Sequence, residues 1–407
     1  MSVPVTRPTV LASAHPPAPT SGAAPDRLTQ LTLLLLSTLT IMSGATIAPA
    51  LPAMQAHFAD VPNAAFLVKL SLTIVGLVIA LTAPLSGVLA DRYGRRPVLL
   101  ASLALYALGG GAGLIADSIG SLLAGRIVLG LAVAGTMTAA GALVNDLFSG
   151  PARGKFLSQQ AAFGNFGGAV LMPLGGLLAA ASWRAPFALY LIALLLIPLT
   201  LRLAGGLPAP LPTDSAQDSR PRWASIGVIY ALSVGYMIVF YLMPTQGPFL
   251  LRTLGAAPAV TGLLLGAFTL VAAITSLVYS RFTGRFHAQR TAALGLILLA
   301  AGWLTVSGAD TVTGALLGLI LGGTGGGLVF PNLYTWLADL TPPAWRGRVT
   351  AGMSSAIFLG QFLSPVLLTS APGHEGLIFR VGALLAAVMS AALVAFSLRR
   401  TPAARAG

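Results

Sequence analysis

Two stretches of this 407-residue chain carry the same charged pattern. Asp146-Leu147 is followed by Arg153-Gly154-Lys155, and Asp339-Leu340 by Arg346-Gly347-Arg348, with the arginine seven residues after the aspartate each time. The copies stand 193 residues apart, and each closes a long apolar stretch. A third charged run, Gly87-Val88-Leu89-Ala90-Asp91-Arg92-Tyr93-Gly94-Arg95-Arg96-Pro97, is bracketed by glycines. Acids and arginines at this spacing can hold helix ends together, since a carboxylate at a helix amino terminus gains about 0.3–1 kcal/mol. One further cation, Arg126, lies inside an apolar stretch. An arginine at the centre of a membrane helix costs about 2.5–3.5 kcal/mol on insertion scales, so something must offset it.

Covalent chemistry has little to work with. The chain has no cysteine, which removes thiolate nucleophiles, disulfides and thiolate metal sites. His15, His57, His287 and His374 all fall outside the apolar stretches, and the acids lie at their ends. An enzyme embedded in a membrane would need paired acids, serine with histidine, or metal ligands within reach of one another. Neither an enzyme nor a metal or other cofactor is expected.

The elements that must position the charges are set by composition. Charged residues make up 8% of the chain, hydrophobic residues 56%, and mean hydropathy is +0.86, against about 25% charged in a soluble domain. Spanning the hydrocarbon core takes roughly 20 apolar residues. Windows of that kind fall at 28–50, 66–89, 97–116, 120–145, 156–181, 184–204, 224–251, 259–281, 291–308, 311–337, 348–370 and 377–398. The first is read as a permanent span and not as a cleaved signal, whose apolar core runs about 7–15 residues. The fold class is therefore an all-α membrane protein with 12 transmembrane helices in two similar halves. Residues 1–26 are expected to form a disordered tail, 27–204 the first half, 205–223 a polar linker, 224–398 the second half and 399–407 a short tail.

Leu51-Pro52 and Met243-Pro244 are 192 residues apart, and Gly130 and Gly323 are 193 apart, so the duplication reaches beyond the charged pattern. After the eighth window, Ser280-Arg281-Phe282-Thr283-Gly284-Arg285 repeats the Gly87–Pro97 run without its aspartate. Basic residues favour the cytoplasmic side of helix ends. With both termini inside, only Lys69, Arg126, Arg184, Arg252 and Arg380 fall away from cytoplasmic segments. The net charge of +13 is then mainly an orientation signal, with attraction to anionic lipid as a second consequence. Nucleic acid is not an expected partner, because the basic residues form no single patch.

The Gly87–Pro97 run resembles the signature loop between helices 2 and 3 of the major facilitator superfamily, and residues 28–398 fit that architecture. The resemblance implies two pseudo-symmetric six-helix bundles that open a central cavity alternately to either side. It implies a conformational latch that fastens the bundles on the cytoplasmic side in the outward-open state, built from Gly87, Asp91, Arg92, Gly94, Arg95, Arg96, Asp146, Arg153, Asp339 and Arg346, with Asp91 against the start of span eleven near Val349-Thr350 and Arg95 reaching Asp146. Gly87 would let another helix approach closely, and Gly94 permits backbone angles closed to other residues. Arg126-Ile127-Val128-Leu129-Gly130 looks like the helix-4 motif of proton-exchanging facilitators, in which the arginine is linked to proton transfer. An interfacial arginine that snorkels to the surface is the competing reading. Span one has no acidic residue of the kind many drug exporters of this group carry.

In span five, Gly164, Gly168 and Gly176 share an i, i+4 stripe suited to close helix packing, and Pro173 should bend the helix. With Gly175, they resemble the antiporter motif of helix 5, although Met172 stands where the family has glycine. Gln160, Asn165, Tyr236, Tyr241, Gln246, Phe330, Asn332, Tyr334, Trp336 and Gln361 are candidate cavity residues. A cavity with that lining is apolar and aromatic and favours lipophilic molecules through area burial. The function expected is efflux of lipophilic or amphipathic small molecules driven by a proton gradient. The alternative is a carrier for sugars or other polar metabolites, which need more hydrogen-bonding groups around the ligand. The expected setting is the plasma (inner) membrane with both termini cytoplasmic. The expected form is a monomer, since the paired bundles enclose a path without a partner chain.

Overall fold

The duplication seen in the sequence sets helix boundaries. Helix α5 spans Ile119–Leu147 and α12 spans Val312–Leu340, both 29 residues long and offset by the same interval as the charged pattern. Each begins at a hydroxyl cap. The Ser118 side chain accepts from the Ser121 amide and the Thr311 side chain from the Gly314 amide, which satisfies a helix amino-terminal donor that otherwise has no partner. Gly130 and Gly323 play the same part in the two copies. A Cβ on Gly130 would stand 2.6 Å from the Val78 Cβ, and one on Gly323 would stand 2.7 Å from the Phe268 carbonyl.

The computed structural model describes residues 25–203, 221–280, 287–342, 345–369 and 373–399, apart from the side chains of Ala45, Pro151, Ala161, Ala162, Asn165, Ser280, Leu398 and Arg399. Every element among them is helical. The remaining helices are α1 Arg27–Ala45, α2 Leu51–His57, α3 Ala64–Tyr93, α4 Arg95–Gly111, α6 Gly150–Ala181 and α7 Ile192–Leu201, with α7 preceded by a 3-10 turn at Ala185–Leu191. They continue with α8 Trp223–Phe240, α9 Leu242–Thr253, α10 Pro258–Ser280, α11 Ala288–Ser307, α13 Arg346–Leu367 and α14 Glu375–Arg399. Ten helical stretches among the described residues are long and apolar enough to cross a membrane, and two shorter apolar helices, Phe166–Ala181 and Ala185–Leu201, coincide with expected spans five and six. The tail, the linker and the second-half loop at 281–285 lie outside the described residues, apart from a few positions at their edges.

The helices pack in two sets, α1–α7 and α8–α14, which meet along a seam. Across it α6 packs on α10, α3 on α13, and the α1–α2 junction with α2 on α9 and α10. Spans one and seven are both broken near proline: α1 gives way to α2 at Pro49 and Pro52, and α8 gives way to α9 just before Pro244. Proline forfeits a backbone donor, so the chain turns there. Buried leucines, alanines and aromatics fill each set, among them Trp303, Tyr106, Phe187 and Phe379.

Candidate functional site

Arg126 is 0% exposed. It does not snorkel to an interface. Its Nε donates to the Ser71 carbonyl of α3 at 3.0 Å, its Nη2 donates to the Tyr190 hydroxyl at 3.0 Å, and that hydroxyl donates on to the Ser43 carbonyl of α1 at 3.2 Å. The guanidinium also lies over the Phe187 and Tyr190 rings, 5.3 Å and 5.0 Å from their centroids. Carbonyl dipoles and ring faces thus offset a cation that has no ion pair among the described residues. Nη1 is left without a hydrogen-bond partner. Tyr241, from the second set, presses its hydroxyl against Gly44 beside Ser43, so both sets meet at this network. Ser71, Tyr190 and Ser43 were not singled out from sequence, because nothing in their spacing separates them from packing residues.

At the arginine-rich end, Arg95 pairs with Asp146 at 2.6 Å and with Asp91 at 3.5 Å, one turn before it. Gly94 joins α3 to α4 at φ 92°, the left-handed region that a side chain disfavours. Arg96 donates to the Leu201 carbonyl at the end of α7, and Arg92 lies over the Tyr93 ring at 5.5 Å. The contact expected of Asp91 in the outward-open state is not made in this one. Its side chain is 75% exposed, and it makes no ion pair or hydrogen bond to the start of α13 among the described residues. A Cβ on Gly87 would meet only Thr138 of α5, at 3.7 Å, so no helix of the second set approaches there. Arg153, Asp339 and Arg346 are also exposed.

The reason is that the seam is closed at the opposite end. Gly176 and Gly262 bring α6 and α10 together so tightly that a Cβ on either would stand 2.8 Å from the other's Cα. The Pro173 ring seats against Gly266, Gly175 faces the Thr46 carbonyl, and Gly76 of α3 lies against the Phe358 carbonyl of α13. Arg252 donates across the seam to the Pro52 carbonyl at 3.1 Å, beside a cleft of about 350 Å³ lined by Pro49, Pro52, Ala53, Arg252 and Pro258. Gly164 and Gly168 instead pack on Ile41 of α1. The helix-5 stripe therefore serves two neighbours, α1 at one end and α10 at the other.

The candidate cavity residues divide. Tyr236, Gln246, Asn332 and Trp336 are buried. The Tyr236 hydroxyl donates to the Gly326 carbonyl, Gln246 Nε2 to the Leu368 carbonyl, and Asn332 accepts from Tyr279 while donating to the Leu328 carbonyl. The polar groups of Tyr236, Gln246 and Asn332 already bond to the protein, save Gln246 Oε1, and Trp336 packs on Phe396. Phe330, Tyr334, Tyr241, Gln160 and Gln361 keep exposed surface, with the Phe330 and Tyr334 rings 5.1 Å apart. The side chain of Asn165 lies outside the described residues.

Comparison with known proteins agrees with this architecture. The family description of the Major Facilitator Superfamily matches residues 33–246 and again 228–407. The chain belongs to that superfamily and is a multi-pass membrane transporter. It is 30% identical over 389 residues to the class C tetracycline resistance protein of Escherichia coli, covering 89% of this chain and 96% of the relative. It is 23% identical over 380 residues to the bacillibactin exporter of Bacillus subtilis, covering 88% and 93%. Among solved structures, the nucleoside transporter NupG shares the fold at TM-score 0.74 and 12% identity, covering 90% of this chain and 99% of its own. The inward-open xylose transporter XylE of E. coli shares it at 0.71 and 16%, covering 92% and 96%.

Proposed function

We propose that this transporter exports lipophilic or amphipathic small molecules across the plasma membrane in exchange for protons, by alternating access. The observation that carries the reading is the use of polar groups inside the second set. Tyr236, Gln246 and Asn332, three of the candidate hydrogen-bonding side chains, already bond to the protein's own backbone and to Tyr279, leaving Gln246 Oε1 and the partly exposed Gln160 and Gln361. What remains exposed is mainly aromatic and apolar, which selects ligands by buried area. Two relatives named for tetracycline resistance and for bacillibactin export support the efflux direction. Arg126, held without a carboxylate partner, supports a proton-linked cycle. No phosphate-cradling loop supplies nucleotide energy, and an ion gradient offers about 2.3 kcal/mol per charge for each 100 mV. In this reading the latch residues Asp91, Arg95 and Asp146 act at the cytoplasmic end when that end closes, and the structure is the state open to the cytoplasm.

The test is transport by purified protein in vesicles. Tetracycline, ethidium and xylose would be offered with and without an imposed pH gradient. Gradient-dependent accumulation of tetracycline or ethidium is expected. If the gradient moves neither while xylose runs downhill, the polar-metabolite alternative takes over.

A further inference from the structure

A proton-coupled carrier needs a side chain that holds a proton in one state and yields it in another. The spans of this chain have no internal carboxylate or histidine, and the Arg126 guanidinium keeps its proton at any pH a cell meets. Lysine is the remaining candidate, and the sequence uses it only twice, at Lys69 and Lys155. Lys155 is exposed in the first turns of α6. Lys69 is different. It lies in the second turn of α3 and is 3% exposed, where a lysine that merely anchored a helix end would reach water.

Its position in the fold is what gives the burial meaning. Lys69, Thr73 and Gly76 share the face of α3 turned toward the second set, where Gly76 meets the Phe358 carbonyl. The Lys69 ammonium stands 4.8 Å from the centroid of the Phe249 ring on α9, so it straddles the seam at the closed end. No ion pair among the described residues includes it. Glu375, at the start of α14, acts on it only through space. On α9 the next charge is Arg252, committed to Pro52. Behind it Arg126 holds the Ser71 carbonyl. The polar side chains of α13 toward this end are Gln361 and Ser364, the latter donating to the Ile238 carbonyl, since Arg346 and Arg348 sit at the other end of that helix. On α2, His57 is stacked with Phe58 and Trp183. A ring face compensates only part of an ammonium's lost hydration.

We propose that Lys69 is the proton-carrying residue of the transport cycle, which rests on the proton-coupled reading above. When the seam parts at the Arg252 end, water reaches Nζ and the amine takes up a proton. When it closes, as here, the N–H bond breaks, the proton passes to water on the open side, and the electron pair stays on Nζ. Phe249, drawn away with α9 on opening, makes the hydration of Lys69 depend on which way the carrier faces.

Two measurements test this. In vesicles, a gradient of one pH unit can sustain about tenfold accumulation in a one-for-one exchange. Wild type should approach that level for tetracycline or ethidium, whereas Lys69→Gln and Lys69→Arg should fall to no accumulation while still moving the same compound downhill. In parallel, labelling lysine with 13C and 15N in lipid nanodiscs gives two side-chain signals, assigned by Lys155→Arg. The Lys69 signal should respond to pH within the range spanned by the imposed gradient. Wild-type accumulation in Lys69→Gln, or a Lys69 signal unmoved across that range, overturns the proposal. A wild type indifferent to the pH gradient instead overturns proton coupling itself, and Lys69 loses its role with it.

Discussion

Arg95 Nε stands 2.6 Å from Asp146 Oδ2, fastening the first turn of α4 to the last turn of α5 with side chains only 8% and 16% exposed. Removing one partner of so largely buried an ion pair leaves the other charge uncompensated, which destabilises the fold. Asp146→Ala should therefore lower the unfolding temperature of the purified protein in detergent. Asp339→Ala, at the matching exposed position of the second set, should leave it nearly unchanged. Equal shifts for the two would show that the pair carries no special load.

Asp91 behaves as the counterpart. With its side chain 75% exposed and a single partner at 3.5 Å, it contributes at most the ~1 kcal/mol of a surface pair in the present state. Its work would come when the arginine-rich ends approach. Asp91→Asn is expected to insert and fold normally yet slow transport in vesicles, and unchanged rates would remove the latch.

Arg126 and Tyr190 form a hydrogen bond in a site closed to water. Tyr190→Phe deletes the hydroxyl and leaves a second guanidinium nitrogen unpaired beside Nη1. The expected cost is about 1–3 kcal/mol, read as a lower unfolding temperature, together with loss of gradient-driven accumulation. Arg126→Lys keeps the charge but cannot reach two acceptors in the same fork, so it should not restore either property.

The Gly176–Gly262 crossing predicts a conformational effect. Valine at Gly262 would collide with backbone of α6 and hold the seam apart at the Arg252 end. Because the chain has no cysteine, Ala53→Cys gives a background-free reporter in the cleft at that end. Its reaction with a membrane-impermeant maleimide should be faster in Gly262→Val than with glycine present. An unaltered rate would mean that close packing there does not govern closure.

The fold was largely legible because membrane insertion writes strong signals. Apolar windows, arginine placement and a repeated Asp-to-Arg spacing are one-dimensional features, and α5 and α12 reproduce the repeat to the residue. The site was less so. Arg95 and Asp146 carry charge and betray themselves, but the Tyr190 and Ser71 groups that hold Arg126 look like any other packing residue until three helices converge. The exposed Asp91 reflects a different gap: one sequence serves two arrangements of the same helices, and spacing alone does not say which is populated. Polar side chains in apolar helices, such as Tyr236, Gln246 and Asn332, look available to line a cavity. The structure bonds each of them to groups of the protein itself.

The tight contacts between the sets, from Pro52 and Arg252 down to Gly76 and Phe358, occupy one side of the molecule, while no helix of the second set approaches Gly87 and Asp91 is exposed. The protein is therefore shaped like a clothes-peg with its jaws apart at the arginine-rich end. A rigid compound lodged between those jaws would act as a doorstop. It would stall the transporter in the arrangement seen here.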